Sequence, residues 1–366
     1  MSADATPVVT LFGPALDVGA PVPVPGAPVA SPGAGEPLGD TLAALVADSG
    51  GASLERRPRE PLPWEARLMI ALGLLPADTG AGARSAVPLA RLVGDADLPT
   101  TGDHRVVADF VSLSPGRDEA TLAPTEALDL KPTESAALAA AANALLAADG
   151  IAFVRGRSGR WYLEGLAAAG LDTAPAHFLA RREIGAQWPA SAEAAPWRRL
   201  MAEIEMLWHA HPVNEAREAR GAPPVNGVWF WGGAAPPPAI RPVGTAVATV
   251  LADDPFARVL AAHAGAVVLP VATPFDEALA GCAGDALLVV DLGPYSAWLG
   301  NDGEALDAAR ANSLASLVRP ALAAVATGRA SAVTLLGDAG EAHVGAPPPR
   351  GWVARLFGRE TRRASP

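Results

Sequence analysis

The sequence predicts an α/β protein on a mainly parallel, covered sheet, with a smaller inserted α+β lobe. Three observations predict it. Short runs such as VVTLF at 8–12, ALLVVD at 286–291 and AVTLL at 332–336 are apolar almost throughout, as strands buried on both faces are. Helical stretches at 254–264 and 305–326 fall between such runs, and strand–helix alternation builds parallel sheets. Residues 132–163 pair an Ala/Leu-rich helix with a β-hairpin, which is a unit of another kind.

The elements follow in order. Val8 to Phe12 is a first strand closed by Gly13-Pro14. Residues 13–37 then accumulate Gly and Pro, which hold neither helix nor ladder, so an extended surface loop is expected. A phosphate-binding loop there would need the P-loop spacing and its Lys, and both are absent. Asp40 can cap a helix over 41–48, and 83–93 can form another. Pro63 opens a helix whose Leu68, Met69, Leu72 and Leu75 share a face. VVADFVSL at 106–113 reads as a strand that Asp109 interrupts.

PTESAALAAAANALLAADG at 132–150 is a helix with an acid in its first turn and Gly150 beyond its end. Ile151–Val154, the turn RGRSGR and Trp161–Leu163 make the hairpin, with Arg155, Arg157 and Arg160 expected in solvent or, alternatively, around an anion. A second helix over 197–210 carries the stripe Met201, Ile204, Leu207, Trp208. Strands are expected from Val228 and over 266–271. The expected division is a discontinuous α/β core of 1–119 and 196–345, an inserted helix–hairpin lobe of 120–195, and a loose basic tail at 346–366.

Composition narrows the function. A formal net charge of −11 and a pI near 5.0 exclude broad contact with nucleic-acid phosphates. One cysteine, Cys282, excludes an internal disulfide and a four-cysteine zinc site, and its neighbours Gly281 and Ala283 offer nothing to activate the thiol. No apolar run approaches the roughly 18 residues of a membrane span. The opening residues carry Asp4 and no basic stretch, so no secretory signal is expected and cytoplasm is the expected location.

The richest stretch for chemistry is 203–233, EIEMLWHAHPVNEAREARGAPPVNGVWFWGG. His211, Asn214, Arg217 and Asn226 fall after a helix, where α/β proteins place ligands. Trp229 and Trp231 alternate on one strand face, and Gly232 permits close backbone approach. The same residues would equally build a structural corner, with histidines capping a helix and asparagines holding turns. His209 and His211, with Glu205, are the weak metal alternative.

HPVNEAREARG followed by PPVNGVWFWGG resembles the signature of the RpfE-type regulatory proteins. That family is similar to the archaeal-type, cofactor-independent phosphoglycerate mutases of the alkaline phosphatase superfamily. The resemblance implies a degenerate alkaline-phosphatase-like core and a regulatory role. His211, Asn214, Arg217, Gly221, Asn226 and Gly232 match the mutase-like run, with Trp231 standing where the mutases have a guanidinium; the candidate ligand-binding residues are His211, Asn214, Arg217, Asn226, Trp229, Trp231 and Gly232. Two-metal phosphoryl transfer needs converging carboxylates and imidazoles beside a hydroxyl nucleophile. The first strand runs into Phe12-Gly13-Pro14 instead, and none of the six histidines follows an Asp-x or precedes a Ser. The expectation is therefore no catalytic residue, no metal ligand and no cofactor. The partner would be a protein or a small anionic metabolite, with no nucleic acid or membrane involved. A mutase-like phosphotransferase with rearranged ligands is the alternative.

Overall fold

The computed structural model describes residues 6–13, 62–74, 105–116, 119–167, 170–180, 184–232, 247–282, 286–300, 302–337 and 341–345. The strands in chain order are β1 (Val8–Phe12), β2 (Arg105–Pro115), β3 (Ala120–Ala123), β4 (Ala152–Arg155), β5 (Trp161–Glu164), β6 (Gly227–Trp231), β7 (Val247–Ala252), β8 (Val267–Leu269), β9 (Ala286–Val290), β10 (Ala332–Leu336) and β11 (Glu341–Gly345). The helices are α1 (Trp64–Ala71), α2 (Pro132–Leu146), α3 (Ala195–His209), α4 (Pro212–Ala219), α5 (Pro255–His263), α6 (Phe275–Ala280), α7 (Gly293–Leu299), α8 (Gly303–Ser313) and α9 (Arg319–Ala326). A π-helical turn, Leu314–Val318, joins α8 to α9. The expected helices at 41–48 and 83–93, most of the Gly/Pro loop and the tail lie outside the described residues.

One sheet has the order β11-β10-β1-β9-β7-β8, with every pairing parallel except β10–β11. The α/β class with a mainly parallel sheet is thus present. Period-two alternation sends its side chains to opposite faces. Val9, Leu11, Leu251, Leu287 and Val289 enter a core with α6, the π turn and α9. Phe12, Val250, Ala252, Leu288 and Val290 enter a larger core with α1 and α5. Both faces are covered, which is why these strands read as unbroken apolar runs.

The second sheet is antiparallel and centres on the long β2, which pairs with β3, β5 and β6, while β4 extends from β5. α2 and α3 pack on it: Leu138, Ala139, Ala142 and Leu146 of α2 and Trp197, Leu200, Met201, Ile204 and Trp208 of α3 are buried. Burial of each large side chain on α3 contributes on the order of 2 kcal/mol.

Two strands of the expected core segments lie in the second sheet. β2, within 1–119, and β6, within 196–345, belong to the antiparallel sheet and not to the parallel one. The physical reason is that both strands are sandwiched, so VVADFV and VWFW look like parallel-sheet strands in their hydrophobic pattern. The larger core also runs without a break from α1 and β9 into β2, α2 and α3.

Candidate functional site

The predicted segment folds as a corner. Residues 212–219, expected as loop, form α4, with Pro212 at its first position and His211 as its N-cap, whose Nδ1 accepts the Val213 N–H at 3.2 Å. Asn214 is 1% exposed, and all its polar capacity goes to backbone. Nδ2 donates to Trp208 O (2.8 Å) and Val225 O (2.9 Å), and Oδ1 accepts from Val225 N (2.8 Å). Arg217 is fully buried; it donates to Pro223 O (2.7 Å), Leu128 O (2.5 Å) and Glu134 Oε2 (2.9 Å). Asn226 exchanges two hydrogen bonds with the backbone of Leu113 (2.7 and 2.8 Å), extending the β2–β6 ladder by one rung. Trp229 Nε1 donates to Ala174 O at 2.8 Å. Gly232 has φ +78°, a conformation that favours glycine, where the chain leaves β6.

Of the expected binding residues, His211, Asn214, Arg217, Asn226 and Trp229 make these bonds to the backbone and to Glu134, while Trp231 bonds Asp109. These bonds hold α3, α4, β2 and β6 together. Glu134, at the start of α2, anchors the same corner. Partial burial works against its carboxylate, but the Lys131 N–H, Arg220 and Arg217 outweigh it and hold its pKa below the usual range.

The carboxyl ends of the parallel strands are where α/β sheets take ligands. Here they carry side chains of the protein itself. Phe12 ends β1, and Arg67 of α1 lies over its ring at 5.2 Å while donating to Gly337 O, just past β10, at 2.6 Å. Tyr295, in the helix after β9, donates to His177 O at 3.2 Å. The His177 ring touches Trp64, Trp231 and Tyr295, with centroids 6.4, 6.1 and 5.8 Å away. His177 Nε2 stands 3.1 Å from Glu65 Oε1, and Glu65 is wholly buried. Burial works to lower the His177 pKa, but the Glu65 carboxylate outweighs it, with help from Glu126 and Asp109, and the net shift is upward. Asp291, at the end of β9, accepts from the Ser313 hydroxyl and from Gly293 N (3.0 Å). Among the described residues no group of three or more His, Cys, Asp or Glu side chains is placed to hold a metal ion.

A cavity of about 280 Å³ opens beside this plug, between β2, the β4–β5 turn, the start of α2 and the start of α5. Asp109 from the middle of β2 lies in its wall, 6% exposed. Its Oδ2 accepts from Trp231 Nε1 at 2.6 Å, and its Oδ1 lies 3.7 Å from Arg160 Nη1. Burial dominates and raises the Asp109 pKa to about 6, against the pull of Arg160. Arg160 is expected in solvent from the turn sequence. In the structure its guanidinium lies over Phe256 at 4.1 Å and stays charged: burial opposes the charge, and Asp109, Glu126 and Asp254 outweigh burial. Arg157, by contrast, is exposed. Asp254 caps α5, accepting from Phe256 N (2.8 Å) and Ala257 N (3.0 Å), with burial holding its pKa up. The sequence signal for this cavity is the acid inside an apolar strand, VVADFV.

Compared with known proteins, the chain matches no family model and no curated protein. Among solved structures it is similar to the PH0037 protein of Pyrococcus horikoshii, at 12% identity and a TM-score of 0.45, over 93% of this chain and 86% of that one. It is also similar to a cofactor-independent phosphoglycerate mutase of Thermoplasma acidophilum, at 16% identity and a TM-score of 0.37, over 93% of this chain and 89% of that one. No helix among the described residues is long and apolar enough to cross a membrane.

Proposed function

We propose that this protein is a regulatory or interaction protein, acting through binding and not through metal-dependent phosphoryl transfer. One observation carries the reading. At the carboxyl ends of the parallel strands Arg67 lies over Phe12 and bonds Gly337 O, and Trp64, Trp231 and Tyr295 pack around His177, whose carbonyl accepts from Tyr295. A two-metal site needs that volume for ions, substrate and nucleophile. Here a bulky ring ends β1, and the Asp291 carboxylate is engaged by Ser313 and the Gly293 N–H.

The test is metal analysis of the purified full chain together with an assay for interconversion of phosphoglycerates in added Mn or Zn. The expected result is no stoichiometric metal and no turnover above background. Stoichiometric metal with turnover abolished by a chelator would overturn the proposal.

A further inference from the structure

The cavity beside the plug is lined by paired opposites. Asp109 of β2 and Glu126 of the 3-10 turn Thr125–Ala127 bring carboxylates; Arg155 and Arg160, flanking the β4–β5 turn, bring guanidinia. Phe110, Trp161 and Phe256 supply apolar wall.

These charges satisfy one another poorly. Arg160 and Asp109 approach only to 3.7 Å, beyond hydrogen-bond reach. Arg160 Nη1 and Trp161 Nε1 are buried donors with no acceptor among the described residues. A buried donor without an acceptor costs free energy, so a group that accepts from Arg160 Nη1 or Trp161 Nε1 is favoured to enter. The lining also selects what can enter. A simple anion beside the arginines would meet Asp109 and Glu126, and a simple cation beside the acids would meet Arg155 and Arg160. The volume, about 280 Å³, is at the small end for a ligand pocket.

We propose that this cavity binds a small zwitterion of amino-acid size. The ligand's carboxylate lies against Arg155 and Arg160, its ammonium group against Asp109 and Glu126, and its carbon skeleton against the aromatic wall. The site is separate from the filled crevice, and the proposal stands whether or not the chain turns over phosphate esters.

The experiment is thermal unfolding of the full chain with each free α-amino acid at millimolar concentration. Acetate and ethylamine serve as probes carrying only one of the two charges. At least one amino acid is expected to raise the melting temperature, since binding only the folded state stabilises it. Neither single-charge probe is expected to do so at the same concentration. Arg155→Gln alters a side chain exposed at the turn, so this variant should melt like the parent without ligand and bind the responding amino acid at least tenfold more weakly. The proposal is overturned if no amino acid responds, if acetate or ethylamine alone reproduces the response, or if Arg155→Gln binds as the parent does.

Discussion

Between His211 and Gly232, Asn214 makes three hydrogen bonds to backbone, Arg217 makes three bonds while fully buried, and Asn226 closes a rung of the sheet. Around the cavity, Asp109 and Arg160 stand 3.7 Å apart, and Arg160 Nη1 has no acceptor among the described residues. The residue types are alike in the two regions. What differs is buried bonding capacity left over: among the described residues, buried donors without an acceptor occur at the cavity, in Arg160 Nη1 and Trp161 Nε1, and none occurs between His211 and Gly232. The type of a side chain therefore says less about a site than the accounting of its donors and acceptors.

Three measurements sharpen that contrast. The largest effect is expected from Arg217→Ala, which strands the buried carbonyl of Leu128, frees that of Pro223 and removes a partner of Glu134. Breaking a buried ion pair costs about 3–5 kcal/mol, so chemical denaturation should show a loss of this order. A loss below ~1 kcal/mol would mean the corner is not held this way.

The second measurement is the pH dependence of stability, where the two regions have opposite signs. The Asp109 pKa is raised in the folded state to about 6, so the fold binds its proton more tightly than the unfolded chain does. Its ionisation removes stability as pH rises from about 4 to 6, an effect of order 2–3 kcal/mol. Glu134, with its pKa lowered, contributes stability that is present above the ordinary glutamate pKa and is lost as pH falls through its folded value. His177, with its pKa raised, contributes stability that is full below the ordinary histidine pKa and is lost as pH rises through its folded value. Asp109→Asn should flatten the Asp109 segment of a stability–pH profile and leave the acid limb governed by Glu134. A profile unchanged between pH 4 and 6 would remove Asp109 from the buried ionisable set.

The smallest effect is expected from His211→Ala. It removes one N-cap acceptor at 3.2 Å on a short helix, for about 1 kcal/mol. A loss as large as that of Arg217→Ala would contradict its role as a cap.

Much of the fold was legible in the sequence because period and punctuation are local. AVTLL at 332–336 is β10 residue for residue, and the helix–hairpin unit appears as α2, β4 and β5. Sheet membership was not legible. β2 and β6 are buried on both faces, and pattern cannot separate such antiparallel strands from parallel ones. Helix α4 hid behind Pro212, which breaks a helix interior but suits a first turn. β7 was missed although it pairs with β8 and β9, because VATVLA stands alone between residues without a clear pattern. At the level of the site, motif likeness drew attention to 211–232. Asp109 looked like an interruption of its strand, and its meaning depends on Trp231 and Arg160, which the chain brings to it from 122 positions away in one case and a neighbouring strand end in the other.

The continuous apolar core from α1 and β9 into β2, α2 and α3 has a consequence for how the molecule responds as a whole. Unfolding either sheet would expose apolar surface that the other packs against, which couples their stabilities. An occupant between β2 and α5 would touch both the antiparallel sheet and a helix packed on the parallel one, so its binding would add to the stability of both.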